Sequence, residues 1–311
     1  MKHMPNIPGY QFTKIVPITK GLSGDRKYYL ETEDGQHLLA RIAKKPEYER
    51  KRFVYKLLEE AVKAGLCMPG PIAFGNCGNG EVYMLLTWVQ GEDAGKLLPK
   101  LAPGEQYHYG REAGEMLRRF HDSSRIEDVE DWQARYFSVM EPRLEAYRKE
   151  GVPFGGSDAI LGYIKENRGF LLKRPQALHH GDFHIGNLVI GRDGGLGIID
   201  WDTADFGNIG DPWYEFNRIG AELPAFATGQ IDGYFHVGDA GNYIPDEFWR
   251  LFALYYAGSA ITSIVWAKYF APGCMDEIMK RNRDIVCWYD GMKRCVPIWY
   301  DRNLQNSRAV K

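Results

Sequence analysis

Three oxygen-bearing side chains fall within a short stretch of the chain: Asp182, Asn187 and Asp200. Two apolar runs flank the turn residues 192–195, and an Asp-Gly turn between apolar runs predicts a β-hairpin. If the runs pair, Asn187 and Asp200 lie at the same end of the ribbon, with Asp182 on the loop leading in. Two carboxylates and an amide that converge in this way suit a phosphoryl transfer assisted by magnesium.

The order of these residues resembles a known family. His180-Gly-Asp182, followed by Asn187 and later by Asp200-Trp, resembles the catalytic loop and metal-binding aspartate of the aminoglycoside phosphotransferase and choline kinase superfamily. Its members are small-molecule kinases with a protein-kinase-like fold. The resemblance implies ATP and Mg²⁺ as cofactors, Asp182 as the catalytic base and His180 as a structural support of the loop. It also implies Asn187 and Asp200 as the magnesium ligands.

Other interpretations of the same stretch stay open. Taken singly, its aspartate and asparagine residues are also good turn and cap formers, because their side chains hydrogen-bond to nearby backbone. His179, His180 and His184 raise a zinc alternative. His180 and His184 would share a face only on a helix, which Gly181 and Gly186 disfavour, so the spacing speaks against zinc.

The composition narrows the class of protein. The 311 residues are 44% hydrophobic and 26% charged, as in an ordinary globular protein of one large or two small domains. A formal net charge of −2 gives no electrostatic reason to expect nucleic acid or an anionic membrane as a partner. The chain shows no apolar run of membrane-span or signal-peptide length, and its five cysteines form no CxxC pair. We therefore expect a cytoplasmic protein with reduced thiols.

A glycine-containing turn at 20–27 precedes two apolar runs around Glu33-Asp-Gly35, a pattern that predicts a hairpin. Glycines let backbone amides approach an anion, although an ordinary β-turn has the same appearance. In the family that the chain resembles, this order belongs to the nucleotide-binding lobe. The resemblance implies that Gly21, Ser23 and Gly24 cover the nucleotide phosphates.

The family also has a basic residue on the third strand that pairs with the nucleotide phosphates. The matching residue is Arg41, and an arginine can bind phosphate bidentately. Lys44 and Lys45 are rival candidates. The family holds this basic residue with a glutamate on the next helix, which implies Glu49, although Arg52 falls near the position where that glutamate is expected.

Apolar periodicity predicts the remaining elements. The predicted strands are 28–30, 37–42, 72–74, 81–88, 187–190 and 197–199, and the predicted helices are 46–65, 104–123, 130–148, 158–172, 248–266 and 275–288. The resemblance places a hinge at 89–93 and implies that backbone groups from Thr87 to Val89 bind adenine. We therefore expect an α+β, two-lobed protein-kinase-like fold. Its small antiparallel-sheet N-lobe is predicted at 1–90 and its larger, mainly helical C-lobe at 91–311.

The resemblance implies transfer of the γ-phosphoryl group of ATP to a hydroxyl of a small, cationic, aminoglycoside-like acceptor. Choline, ethanolamine or a sugar is the alternative acceptor. Aromatic faces and carboxylates of the C-terminal third could receive a cation, and the candidates are Trp213, Trp249, Trp266, Trp288, Trp299, Asp232, Asp239, Asp276 and Asp284. The alternative to an enzyme is a nucleotide-binding pseudokinase, which binds a nucleotide without catalysis and acts as an interaction module.

Overall fold

A computed structural model describes residues 6–19, 24–201, 205–219, 223–239 and 241–306. Its strands are β1 (Lys14–Ile18), β2 (Arg26–Glu31), β3 (His37–Ala43), β4 (Pro71–Cys77), β5 (Glu81–Thr87), β6 (Glu92–Asp93), β7 (Arg125–Ile126), β8 (Gln176–Leu178), β9 (Leu188–Ile190), β10 (Leu196–Ile198) and β11 (Ile209–Gly210). Its helices are α1 (Tyr48–Val62), α2 (Ala94–Leu97), α3 (Pro103–Ser123), α4 (Trp132–Glu150), α5 (Ser157–Asn167), α6 (Pro224–Tyr234), α7 (Asp246–Phe270) and α8 (Met275–Trp288). Every predicted helix coincides with one of these.

The chain divides into two compact units. Unit 1 comprises Met1–Leu97 and Ile185–Thr203, and unit 2 comprises Leu98–His184 and Ala204–Lys311. The predicted division assigned everything after residue 90 to the second lobe, whereas the β9–β10 hairpin groups with unit 1. The reason is its backbone hydrogen bonding, since β6 pairs with β9 and the Ile198 N–H donates to the Cys67 carbonyl over 2.8 Å.

A five-stranded antiparallel sheet in the order β1-β2-β3-β5-β4 forms the main part of unit 1. Alternate residues of β2 and β3, such as Leu30 and Ala40, point into a hydrophobic core. The residues between them therefore face the opposite side of the sheet, and Arg41 is one of these. Helix α1 buries an apolar stripe that includes Val54 and Leu58.

Unit 2 is mainly helical, and α3 and α6 cross in backbone contact. A Cβ atom added to Gly110 of α3 would lie 2.1 Å from the Phe226 carbonyl oxygen, and one added to Gly229 of α6 would lie 2.1 Å from the Tyr107 carbonyl oxygen. Only glycine permits this approach. A small sheet in the order β11-β8-β7 completes the unit, and β8 leads directly into the loop that carries Asp182.

The sheet of unit 1 and the helices of unit 2 confirm the predicted α+β class. All five cysteines are free thiols. Of the helices in the described part of the chain, none combines the length and the apolar character needed to cross a membrane.

Candidate active site

A cavity of about 250 Å³ lies within unit 1. Its apolar lining comes from β3, β5 and β9, and its polar lining includes Lys27, Arg41, Asn187 and Asp200. An apolar slot with a few convergent charged groups is the usual form of a small-molecule site. The predicted phosphate-binding arginine and both predicted magnesium ligands therefore line one cavity.

The predicted hairpin is confirmed, because β9 and β10 pair antiparallel. Just beyond the paired residues, the Ile199 N–H donates to the Asn187 carbonyl over 2.9 Å, which ties Asn187 to the residue before Asp200. Asp200 then adopts a left-handed backbone with φ of 63°. The hairpin thus brings Asn187 and Asp200 together, and their role as magnesium ligands stays a prediction.

Two cations hold the Asp200 carboxylate. Lys27 Nζ lies 3.0 Å from its Oδ2, and an Arg41 guanidinium nitrogen lies 2.8 Å from its Oδ1. Burial raises the pKa of Asp200, but attraction to Arg41 and Lys27 outweighs burial and holds that pKa below its ordinary value. Asp200 is therefore kept ionised, in the form that a metal ligand requires.

Arg41 has a second carboxylate partner, Asp25. The Nε of Arg41 donates to Asp25 Oδ2 over 3.0 Å, and Lys51 Nζ of α1 donates to the same oxygen over 2.6 Å. These side chains are almost completely buried, with exposures of 4% for Arg41 and Lys51 and 5% for Asp25. The rival candidates Lys44 and Lys45 are exposed. Of the three predicted basic residues, Arg41 is therefore the one that lines the cavity.

The predicted pairing of Glu49 with Arg41 is not present. Among the described residues, the ion-pair partner of Glu49 is Arg52, at 3.8 Å, and the Glu49 side chain is 81% exposed. Residues two apart on a helix face nearly opposite directions. The helix therefore presents Lys51, and not Glu49, to the buried cluster, and Asp25 supplies the carboxylate that the helix was expected to provide.

The predicted glycine turn and hinge are only partly described. Gly21 and Ser23 lie outside the described residues, and Gly24 is exposed with open space where a Cβ would be. Thr87 and Val89 both line the cavity of unit 1. The Thr87 N–H already donates to the Gly70 carbonyl over 2.8 Å, and the adenine contacts of Thr87 and Val89 stay predictions.

Asp182, the predicted catalytic base, lies in unit 2. Its side chain is 30% exposed, and its Oδ2 is 3.4 Å from His184 Nε2. Its backbone N–H donates to Nδ1 of the fully buried His180 over 3.2 Å. His180 therefore supports the loop, as predicted, while the carboxylate of Asp182 remains accessible enough to accept a proton.

Sequence reasoning missed Glu215, which fixes this loop. One Glu215 oxygen accepts the His180 N–H and the other accepts the Gly181 N–H, each over 2.8 Å. Glu215 is only 2% exposed. The sequence did contain one indication of its role, since Glu215 is a single carboxylate within the apolar run around Phe216. A charge buried in such a run needs hydrogen-bond or ion-pair partners. Glu215 is therefore a positioning residue for the Asp182 loop.

Asp211 and His179 brace the same loop. Asp211 caps the short 3-10 helix Pro212–Arg218 by accepting the Trp213 N–H, and it also accepts from Arg174. The ring Nε2 of His179 donates to the Asp211 carbonyl over 2.9 Å. Burial dominates the titration of His179 and lowers its pKa to about 4. The ring is therefore neutral, and its role is structural.

The sequence from residue 14 to residue 246 matches the model of the phosphotransferase enzyme family (APH). The chain belongs to this family. No curated protein matches its sequence.

Several solved structures have the same fold as this phosphotransferase, although their sequence identity to it is low. A thermostable mutant of aminoglycoside phosphotransferase APH(4)-Ia, in ternary complex with ADP and hygromycin B, is 15% identical with a TM-score of 0.62, over 89% of this chain and 94% of that one. A choline/ethanolamine kinase family protein from Mesorhizobium loti is 17% identical with a TM-score of 0.60, over 97% and 95%. ADP-bound aminoglycoside phosphotransferase APH(2'')-Ib is 15% identical with a TM-score of 0.59, over 88% and 93%. The predicted kinase-like fold is confirmed.

Unit 2 of the phosphotransferase contains a cavity of about 490 Å³. Its lining includes Arg143, Arg281 and Trp266, hydroxyl residues of α7 and tyrosines, and none of its described lining residues is acidic. Asp232, one of the carboxylates considered for a cationic acceptor, is instead fully buried and accepts from two tyrosine hydroxyls. Of the residues considered, Trp266 is the one that lines this cavity.

Proposed function

We propose that this phosphotransferase moves the γ-phosphoryl group of ATP to a hydroxyl group of a small-molecule acceptor. The carrying observation is the cavity of unit 1, in which Arg41, Asn187 and Asp200 line an otherwise largely apolar slot. The slot suits a nucleobase, and the arginine suits phosphate. ADP in the related structures of the same fold supports the same nucleotide class.

Asp182 acts as the base in this proposal. It accepts the proton of the acceptor hydroxyl while the hydroxyl oxygen attacks the γ-phosphorus, and ADP leaves. Asn187 and Asp200 would hold magnesium, since carboxylate and amide oxygens are donors that this ion accepts and it needs only one or two carboxylates. A bound magnesium ion would neutralise charge on the phosphates.

The family resemblance favours an aminoglycoside-like, cationic acceptor, and hygromycin B in a structure of the same fold supports it. The cavity of unit 2 favours a second candidate, a neutral or anionic sugar or polyol. Arg143 and Arg281 line it with hydroxyl side chains, and no described lining residue is acidic. Arginine has only N–H donors and a positive charge, so it binds anionic and hydroxyl groups and repels ammonium groups, while the hydroxyl side chains can bind either.

The first test is a coupled ADP-release assay with magnesium and ATP across aminoglycosides, amino alcohols and a matched sugar series. Glucosamine, glucose and glucuronate share a pyranose ring and differ chiefly in charge, so their ranking separates a cationic acceptor from a neutral or anionic one. The assay is repeated with Asp182→Asn and with the exposed control Asp158→Asn of α5.

We expect Asp182→Asn to lower acceptor-stimulated release by about 10²- to 10⁴-fold, the weight of a positioned base, with nucleotide affinity unchanged. The control should match the wild type. Equal activity in Asp182→Asn would remove Asp182 from the chemistry. ATP binding without release on any acceptor would instead support the pseudokinase alternative.

A further inference from the structure

Lys27 lies beside Arg41 in the sheet of unit 1. The antiparallel register of β2 and β3 places the two residues directly opposite each other. Opposite residues of paired strands share one face of a sheet, and the next residues along, Tyr28 and Ala40, point into the core on the other face. Both Lys27 and Arg41 line the cavity, so the sheet itself places a second cation next to the predicted phosphate ligand.

The Lys27 ammonium group is largely buried, since its side chain is only 11% exposed. A buried cation requires an anionic partner, and Asp200 serves both Lys27 and Arg41, one carboxylate oxygen each. A lysine on the solvent-facing side of a strand is much more exposed than Lys27. Lys14 on β1 is 54% exposed and pairs with Glu31.

The two cations have different supports. Arg41 also contacts Asp25, so it keeps an anionic partner if Asp200 is engaged elsewhere. For Lys27, Asp200 is the carboxylate within ion-pair distance among the described residues. If Asp200 holds magnesium, as proposed above, Lys27 needs another anion within the cavity. The phosphate oxygens of a nucleotide meet that need.

We propose that Lys27 is a second phosphate ligand of the nucleotide site, acting beside Arg41. This inference rests on the proposed function, and it goes beyond the family resemblance, which implies one basic residue on the third strand. The ammonium group is a compact charge with three donors, whereas the guanidinium group of Arg41 is a planar fork. The pair can therefore bind more than one phosphate oxygen at a time.

The test measures dissociation constants of ATP with magnesium and of adenosine by calorimetry, without any acceptor. The proteins are the wild type, Lys27→Met, Lys27→Arg and the control Lys14→Met. We expect Lys27→Met to weaken ATP binding by about 10- to 100-fold, as for the loss of a charged hydrogen bond, and to leave adenosine binding unchanged. Lys27→Arg should recover most of the affinity for ATP, and Lys14→Met should match the wild type.

Equal weakening of ATP and adenosine by Lys27→Met would overturn the inference, because Lys27 would then shape the cavity without contacting phosphate. Unchanged ATP affinity in Lys27→Met would also overturn it while leaving the proposed function standing. A wild-type protein that binds neither ligand would overturn both. Circular dichroism of each variant identifies a folding failure. If Lys27→Met does not fold, Lys27→Gln, which removes the charge and keeps a polar side chain, carries the test with the same expected loss of ATP affinity.

Discussion

The buried ring of His179 makes part of the stability of unit 2 dependent on pH. Its pKa is about 4 in the folded protein, against an ordinary value of 6.5, chiefly because burial disfavours the charged ring. As the pH falls through this window, the unfolded chain takes up a proton before the folded chain does. The contribution of His179 is therefore intact above about pH 6.5 and lost towards pH 4, by up to about 3 kcal/mol.

Urea unfolding at pH 7 and pH 4.5 measures this effect. We expect the wild type to lose unfolding free energy between the two pH values, and His179→Gln to lose clearly less. Part of the loss should remain in the variant, because burial also lowers the pKa of His121. The exposed control His37→Gln should lose as much as the wild type. Equal losses in all three proteins would contradict a neutral, buried His179.

Some residues of the candidate site could be predicted from the sequence and others could not. The spacing of Asp182, Asn187 and Asp200 is local, so one hairpin and one loop position them. Asp25 and Lys51 come into contact only when the sheet and α1 pack together. The sequence does not fix the register of α1 against the sheet, so it does not show which residue of the helix faces Asp25. A glutamate of the helix was expected to contact Arg41. In the structure the helix contributes the cation Lys51, and the carboxylate comes from Asp25, which precedes β2.

The crossing of α3 and α6 sets the strongest packing constraint among the elements of unit 2. Gly229→Ala would place a methyl group against the Tyr107 carbonyl, where backbone must move. We expect a loss of about 1–3 kcal/mol in unfolding free energy, the usual cost of overpacking. The matched control is Gly162→Ala in α5, where a Cβ meets open space.

The control should be neutral or more stable by about 0.5–1 kcal/mol, because alanine favours a helix over glycine. Chemical unfolding of the variants beside the wild type gives both values. If Gly229→Ala were as stable as Gly162→Ala, the two helices would not be in backbone contact at that position.

Helix α6 also shows why one element escaped prediction. Its sequence contains Gly229 and Gly233, which lower helix propensity, and its polar residues Gln230 and Asp232 are buried together with its apolar ones, so no clear apolar stripe marks it. Tertiary packing against α3 forms it. Helices α1 and α3 have clear apolar stripes and were predicted for that reason.

At the scale of the whole molecule, the proposed tasks fall in different units. The cavity with Lys27 and Arg41 lies in unit 1, and Asp182 with its support Glu215 lies in unit 2. Variants of each unit should then affect different kinetic constants. Lys27→Met should act on nucleotide affinity, and loss of the Glu215 carboxylate should act on turnover.

Glu215→Gln tests the second half of this division. An amide has one acceptor oxygen where the carboxylate has two, so one of the His180 and Gly181 N–H groups loses its partner and the loop loses its fixed position. We expect kcat to fall by about 10- to 100-fold, the scale of a misplacement near 1 Å, with the dissociation constant of ATP unchanged. The exposed control Glu277→Gln should match the wild type in both. Weaker ATP binding with unchanged kcat in Glu215→Gln would show that the tasks are not divided in this way.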